Sequence, residues 1–158
     1  MDLTRLPRSF GATLPDWVLE ELAHSPTVLP THADRMELAL RLAARNPLEG
    51  SGGPFAALVV DTATGELVVN WRPCAQCYGA VLWSGVKRLV IAGEGPEVEH
   101  LTGFDEGPMR EDWAEQLRRR GVEVVIGVRR EQAVSMFAEY GRVAVERGLT
   151  VYNARGGA

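Results

Sequence analysis

The stretch Pro73-Cys74-Ala75-Gln76-Cys77 precedes an apolar run, Tyr78-Gly79-Ala80-Val81-Leu82-Trp83-Ser84-Gly85-Val86. A two-residue spacer lets two thiolates reach one metal ion from the start of a helix, where the helix dipole also lowers thiol pKa values. Proline suits this first turn, because its missing N–H would have no partner there. The chain's 2 cysteines both lie in this motif, which leaves three interpretations open: a zinc site, a redox dithiol, or two ordinary residues.

Apolar runs on either side of the cysteines predict four strands. The run 55–60 is continuously apolar, which favours a central strand buried on both faces of a sheet. Three further runs of strand length are 66–70, 88–92 and 122–128.

Helical patterns separate these strands. Asp34 is predicted to cap a helix over 35–45, and a buried helix over 74–84 ends at Gly85, with Trp83 in the core. Two more helices are predicted over 110–120 and 130–147. Alternating strands and helices indicate an α/β fold with a parallel or mixed sheet.

Composition limits the class of protein. With 158 residues, 46% of them hydrophobic, the chain suggests one globular domain. We expect an N-terminal extension over 1–35 and the domain over 36–158. The net charge of −4 without a basic block argues against a nonspecific nucleic-acid surface. No run has membrane-spanning length and no signal-peptide core is visible, so a cytoplasmic protein is expected.

Several segments, in order, resemble the cytidine deaminase superfamily, in particular its guanine and tRNA-adenosine deaminase branch. Residues 73–86 resemble the family's second zinc motif and helix, and 53–61 are similar to its first strand. Residues 88–92 are similar to the strand that follows the zinc helix, and 103–106 to a Gly-Phe-Asp loop near the substrate. The resemblance covers roughly residues 36–150.

The resemblance implies a three-layer α/β/α fold with a mixed central sheet and a homodimer. It implies a zinc cofactor held by Cys74 and Cys77 with one further histidine or cysteine, and substrate contacts from Phe104 and Asp105. In the family, zinc-bound hydroxide attacks an amidine carbon of a base, a glutamate moves the proton, and ammonia leaves. The implied substrate is a nucleobase or nucleoside, a purine such as guanine being favoured over a pyrimidine. A tRNA substrate is not expected, because the C-terminal region lacks a basic face.

The chain departs from the family's pattern at one point. The family's His-x-Glu motif should precede the cysteines, yet only a short stretch separates Val60 from Cys74, with Glu66 its sole glutamate and no histidine. We interpret 66–74 as the family's third strand running into the zinc helix, so that a strand and the His-x-Glu helix are missing after Gly65.

Three explanations of this gap are open. An internal segment of the natural protein is absent from this chain, or a deletion has removed catalysis, or another histidine substitutes, the candidates being His24, His32 and His100. The main hypothesis is a zinc-dependent deaminase. The alternatives are a catalytically inactive binding protein of the same fold, and a thiol–disulfide protein.

Overall fold

A computed structural model describes residues 11–61, 64–149, 151 and 153. The first ten residues of the predicted N-terminal extension therefore lie outside the described part, and the boundary at residue 35 stays a prediction. The described elements are, in chain order, α1 (Asp16–Ala23), α2 (His32–Arg45), β1 (Ala57–Asp61), β2 (Glu66–Val69), α3 (Ala75–Ser84), β3 (Arg88–Ile91), α4 (Glu97–Thr102), α5 (Trp113–Arg119), β4 (Glu123–Ile126) and α6 (Arg130–Arg147).

The strands form one mixed sheet in the order β1-β2-β3-β4. β1 runs antiparallel to β2, with Ala57 opposite Val69, whereas β2, β3 and β4 are mutually parallel. Parallel neighbours need a crossover, and α3 provides it between β2 and β3. The N-terminus of α3 therefore lies at the carboxyl end of β2.

Helices cover both faces of the sheet and make the fold three-layered. On the first face, Val68 and Val90 pack with residues of α2 and α6, including Met36 and Phe137. On the second face, Leu89 and Ile91 pack with α3 and α5; the other members of this core include Val81, Trp113 and Leu117. The predicted α/β/α fold with a mixed sheet is confirmed.

β1 differs from its prediction as a central strand. It lies at the edge of the sheet, and Val59 on its second face is 72% exposed. Leu58 and Val60 do pack against the first-face core. The prediction of a strand buried on both faces was wrong, because among the described residues no helix covers the second face of β1 at Val59.

Helix α3 begins one residue later than predicted, at Ala75, and lacks the predicted burial. Gly85 ends it in the left-handed conformation, at φ 75°, where glycine has no steric penalty. Within the helix only Val81 is buried, and Trp83, predicted in the core, is 91% exposed. The prediction was wrong because α3 packs on the sheet along one side, and nothing described lies beyond its other side.

Two smaller differences concern the start of α2 and the presence of α4. Helix α2 begins at His32 rather than at residue 35, because Thr31 and not Asp34 is the N-cap; Asp34 completes a capping box by bonding back to Thr31. The loop before α5 also contains α4, which the sequence pattern did not predict.

A buried carboxylate ties α2 to the sheet. Glu66, at the start of β2, has a side chain only 2% exposed. It accepts hydrogen bonds from Arg35 of α2 at 2.8 Å and from Arg88 of β3 at 3.2 Å, and His32 Nε2 lies 3.3 Å away. Because a buried charge is costly without partners, these contacts hold the two inner strands, β2 and β3, and α2 in one arrangement.

The first prediction concerns this carboxylate. Glu66→Gln should lower the free energy of unfolding by about 1–3 kcal/mol, because it removes a buried anion and leaves the cations facing it unpaired. Urea denaturation at neutral pH measures the change. Glu123→Gln is the matched control, since Glu123 also pairs with Arg88, at 2.7 Å, but is 56% exposed; it should cost less than about 0.5 kcal/mol. Equal losses in the two variants would contradict the assignment.

The same carboxylate should make stability depend on pH. Burial alone would raise the pKa of Glu66, but hydrogen bonds from Arg35 and Arg88 outweigh it and hold the pKa below the ordinary 4.5. A carboxyl whose pKa is lower in the folded state stabilises fully above its unfolded pKa and loses that contribution as the pH falls. The stability difference between wild type and Glu66→Gln should therefore shrink progressively below pH 4.5, as urea titrations at stepped pH would measure.

Candidate active site

The two cysteines lie at the N-terminus of α3, where β2 ends. Cys74 is the N-cap, in an extended conformation, and its Sγ accepts the Cys77 backbone N–H at 3.4 Å. The loop of Glu106 closes over this turn, because the Ala75 N–H donates to the Glu106 carbonyl at 2.9 Å. The sulfurs are thus held beside each other and accessible, Cys74 being partly exposed and Cys77 exposed.

The pKa of the second cysteine is raised. Partial burial brings the pKa of the Cys77 thiol to about 11, with a hydrogen bond to Cys74 and the charge of Glu106 acting in the same direction. In a redox Cys-x-x-Cys the first cysteine is the nucleophile that needs a lowered pKa, so this shift does not exclude disulfide exchange. A bound cation would lower the pKa, because metal ions stabilise the thiolate form.

A cavity of about 570 Å³ opens beside the cysteines, a volume typical of small-molecule sites. Its lining is mostly apolar and comes from β1, β2, α3 and the adjoining loops: Phe55, Ala56, Ala57, Leu67, Val69, Asn70, Trp71, Arg72, Pro73, Cys74, Cys77, Ala80, Val81, Ser84 and Glu106. The chemically active groups, the two thiols and Glu106, share this cavity.

Asn70 and Trp71 fix one wall of the cavity. The Asn70 amide accepts the Ala56 N–H at 3.1 Å and donates to the Pro54 carbonyl at 2.9 Å, which holds the segment before β1 in place. Trp71 is 2% exposed and packs edge-on against Phe137 with ring centroids 5.3 Å apart. Trp71 is therefore chiefly a rigid part of the wall.

Glu106 was not singled out by sequence reasoning. Glu106 is only 8% exposed. Burial raises the pKa of its carboxyl, the positive charge of Arg72 lowers it, and the negative charges of Glu99 and Asp105 raise it further. A carboxyl with a raised pKa in a cavity is a candidate proton donor and acceptor. The sequence shows two adjacent acids, Asp105 and Glu106, in the loop 103–106. It does not show which of them faces the cavity.

The two predicted substrate residues lie just outside this lining. Phe104 stacks on Tyr140 at 5.9 Å and meets Phe55 edge-on at 5.1 Å, so it touches the cavity only through Phe55. Asp105 is exposed, and its Oδ1 accepts the Gly107 N–H at 2.8 Å. Their substrate contacts stay predictions.

The histidines lie apart from the cysteines within the chain. The His24 ring bonds the Glu20 carbonyl at 2.7 Å, His32 faces Glu66, and His100 is exposed on α4. Across the described ranges, no group of three or more His, Cys, Asp or Glu side chains could hold a metal ion. The structure therefore does not support a histidine of the same chain as the third zinc ligand.

The donor set does not fit zinc as it stands. Two thiols are suitable ligands, but catalytic zinc takes three protein ligands and structural zinc takes four. Cys74 and Cys77 are thus half of a site, and one copy of the described chain does not complete it.

Comparison with known proteins gives structural matches. No protein-family model and no curated protein sequence matches the chain. A guanine deaminase from Nitrosomonas europaea matches with a TM-score of 0.72 and 28% identity, over 87% of this chain and 99% of that one. A mutant of NE0047 in complex with 8-azaguanine matches with a TM-score of 0.73 and 29% identity, over 88% and 99% of the chains.

The structure of NE0047 in complex with 2,6-diaminopurine matches with a TM-score of 0.71 and 30% identity. This match covers 92% of the present chain and 97% of the other. Nearly complete coverage, the shared fold and the Cys-x-x-Cys at the start of α3 agree with each other. The chain belongs to the cytidine deaminase superfamily, in its guanine deaminase-like branch.

Proposed function

We propose that this protein is a nucleobase deaminase that takes a purine such as guanine into the cavity beside Cys74 and Cys77. The observation that carries the proposal is the shared cavity, in which two accessible thiols and a buried Glu106 lie together. Hydrolytic deamination needs an activated water and a group that moves protons. In this proposal the two thiols bind the metal that activates the water, and Glu106 moves the protons.

The choice of a purine rests on the cavity and on the relatives. The cavity is mostly apolar and has one aromatic wall, which suits a flat base. Structural relatives of this chain are complexes with 8-azaguanine and with 2,6-diaminopurine. The net charge of −4 favours a free base over a polynucleotide.

Zinc is the proposed cofactor, with Cys74 and Cys77 as the two residues that hold it. When bound in an open site, zinc makes hydroxide available near neutral pH. Among the described residues of one chain, no third ligand joins these two cysteines. A homodimer and a cytoplasmic location stay predictions; in the described chain no helix is long and apolar enough to cross a bilayer.

The residues present have separable roles in this proposal. Glu106, whose pKa is raised by burial, holds a proton near neutral pH more readily than an exposed carboxylate. Phe55 and Trp71 exclude water from the base and orient its plane. Asn70 keeps the segment before β1 at its distance from α3.

A second candidate is a deaminase-fold protein that binds a base without catalysis. The incomplete ligand set favours it. The thiol–disulfide alternative is weaker, because the solved structures that match the chain over most of its length are guanine deaminases.

The third prediction tests the metal half-site. Cys74→Ser and Cys77→Ser should each weaken zinc binding by at least about 100-fold, because a hydroxyl is a far poorer ligand than a thiolate. Competition with a chromophoric chelator measures the affinity, and circular dichroism checks the fold. Glu106→Gln is the control that should keep its zinc. Unchanged affinity in both serine variants would remove zinc from this position.

The fourth prediction separates the two acids of the loop. Glu106→Gln should bind 8-azaguanine with little change but release ammonia from guanine at least about 100-fold more slowly, because general acid–base groups contribute about 10²–10⁴-fold. Asp105→Asn is the matched neighbour and should have a smaller effect. Calorimetry measures binding and an ammonia assay measures turnover. A larger loss in Asp105→Asn would instead support the sequence prediction of Asp105.

Binding and turnover also separate the two candidate functions. A wild type that binds 8-azaguanine but releases no ammonia from guanine with zinc present would support the non-catalytic protein. A wild type that binds neither 8-azaguanine nor guanine would exclude both.

A further inference from the structure

Arg72 is a cation in the wall of the cavity for which the described chain provides no partner. The residue is partly buried and lines the cavity. Its backbone is fixed, because it follows the buried Trp71 and its own N–H donates to the Gly93 carbonyl at 2.9 Å. The Nε of its guanidinium is enclosed and has no hydrogen-bond partner. Across residues 11–61 and 64–149, no ion pair includes Arg72.

Other arginines of the same chain are paired where they approach the interior. Arg35 and Arg88 reach the buried Glu66 at 2.8 and 3.2 Å. A buried polar or charged group is costly unless it is hydrogen-bonded or paired, and one that lacks a partner calls for an explanation. At the wall of a cavity, an unpaired guanidinium indicates a partner that arrives with a ligand.

The uncharged amide and hydroxyl of the cavity are already used by the protein itself. The Asn70 amide holds the segment before β1, and the Ser84 hydroxyl donates to the Val81 carbonyl at 2.8 Å. The charged residues of the described lining are Arg72 and Glu106. Besides the thiols, these two side chains are therefore the ones suited to recognise the edge of a ligand.

The chemistry of a guanidinium limits what Arg72 can recognise. Arginine only donates hydrogen bonds, and its planar fork matches two acceptors that lie side by side. Guanine presents such a pair at O6 and N7, the edge on which arginine makes its commonest base-specific contact. Adenine has an amino group at C6 in place of the oxygen, so that a donor would face a donor. An arginine in the wall therefore favours an oxygen at C6 of the purine.

A phosphate is the other acceptor that a guanidinium binds well. A phosphate group carries nearly two negative charges and three acceptor oxygens, which one guanidinium does not satisfy. Arg72 is the only cation among the described residues of the lining, which is mostly apolar and also contains the carboxyl of Glu106. The uncharged edge of a base fits this wall better than a phosphate does.

We propose that Arg72 is a specificity-determining residue that donates to O6 and N7 of a purine in the cavity, so that the protein selects 6-oxopurines over 6-aminopurines. The inference rests on the proposed function and narrows its substrate class. In guanine, C2 and its amino group lie across the six-membered ring from the O6 and N7 edge. The contact therefore leaves the amine that deamination removes uncovered.

The test compares two purines that differ at C6. 8-Azaguanine has an oxygen at this carbon, and 2,6-diaminopurine has an amino group. Calorimetry should find that the wild type binds 8-azaguanine more tightly. Arg72→Gln should reduce this preference roughly 5–150-fold, which corresponds to one bidentate contact between an arginine and a base. The loss should fall on 8-azaguanine, while the affinity for 2,6-diaminopurine changes little.

Two further variants separate the fork from the charge. Arg72→Lys keeps the positive charge without the planar fork, so it should also lose most of the preference. Arg110→Gln is the control, because Arg110 is 72% exposed, pairs with Asp112 at 2.8 Å and does not line the cavity. It should keep the wild-type preference. Circular dichroism checks that all three variants fold.

Guanosine monophosphate distinguishes a base edge from a phosphate as the partner of Arg72. If the base edge is the partner, the wild type should bind guanosine monophosphate no more tightly than guanosine. Tighter binding of the monophosphate that disappears in Arg72→Gln would assign the residue to a phosphate and overturn the proposal.

The comparison of the two purines can also overturn it. The proposal is wrong if the wild type has no preference, if Arg72→Gln or Arg72→Lys keeps the preference in full, or if Arg72→Gln weakens both purines equally. Purine binding by the wild type would still support the proposed function in each of these cases. A wild type that binds neither purine would refute the proposed function and this inference together.

Discussion

The parallel pairing of β2 with β3 determines where every reactive group of this protein lies. A parallel pair requires a crossover, and its helix α3 must begin at the carboxyl end of β2. This places the Cys74–Cys77 turn at the sheet edge where loops from neighbouring strands converge, and the Glu106 loop closes over the same turn through Ala75. Ligand sites of open α/β sheets form at this end for the same topological reason.

The antiparallel hairpin of β1 and β2 imposes a second constraint. Its short connection, residues 62–65, brings the chain directly back along the sheet and leaves no residues to cross the second face. β1 therefore packs well on one face, through Leu58 and Val60, and stays open on the other, at Val59. The cavity is a consequence of this arrangement, because it opens beside β1 and β2 where no helix of the described residues covers β1.

Local signals predicted most of the fold. Helix α6 has the predicted bounds and α3 begins one residue later than predicted, at Ala75. Strands β2, β3 and β4 lie within the apolar runs, and β1 extends one residue beyond its run, to Asp61. Predictions of burial were less reliable, since they assume that every apolar side meets a partner. Val59 and Trp83 have sequences typical of buried positions, yet they are exposed because the elements that would cover them are not part of the described chain.

The site could be predicted in part for a related reason. The Cys-x-x-Cys pair can be recognised from the sequence alone, because a two-residue spacer places both thiols at the first turn of a helix. Asp105 and Glu106 are adjacent and chemically alike, so the sequence does not tell which of them faces the cavity. The path of the loop decides it: Asp105 stays outside and accepts the Gly107 N–H, and Glu106 turns inward.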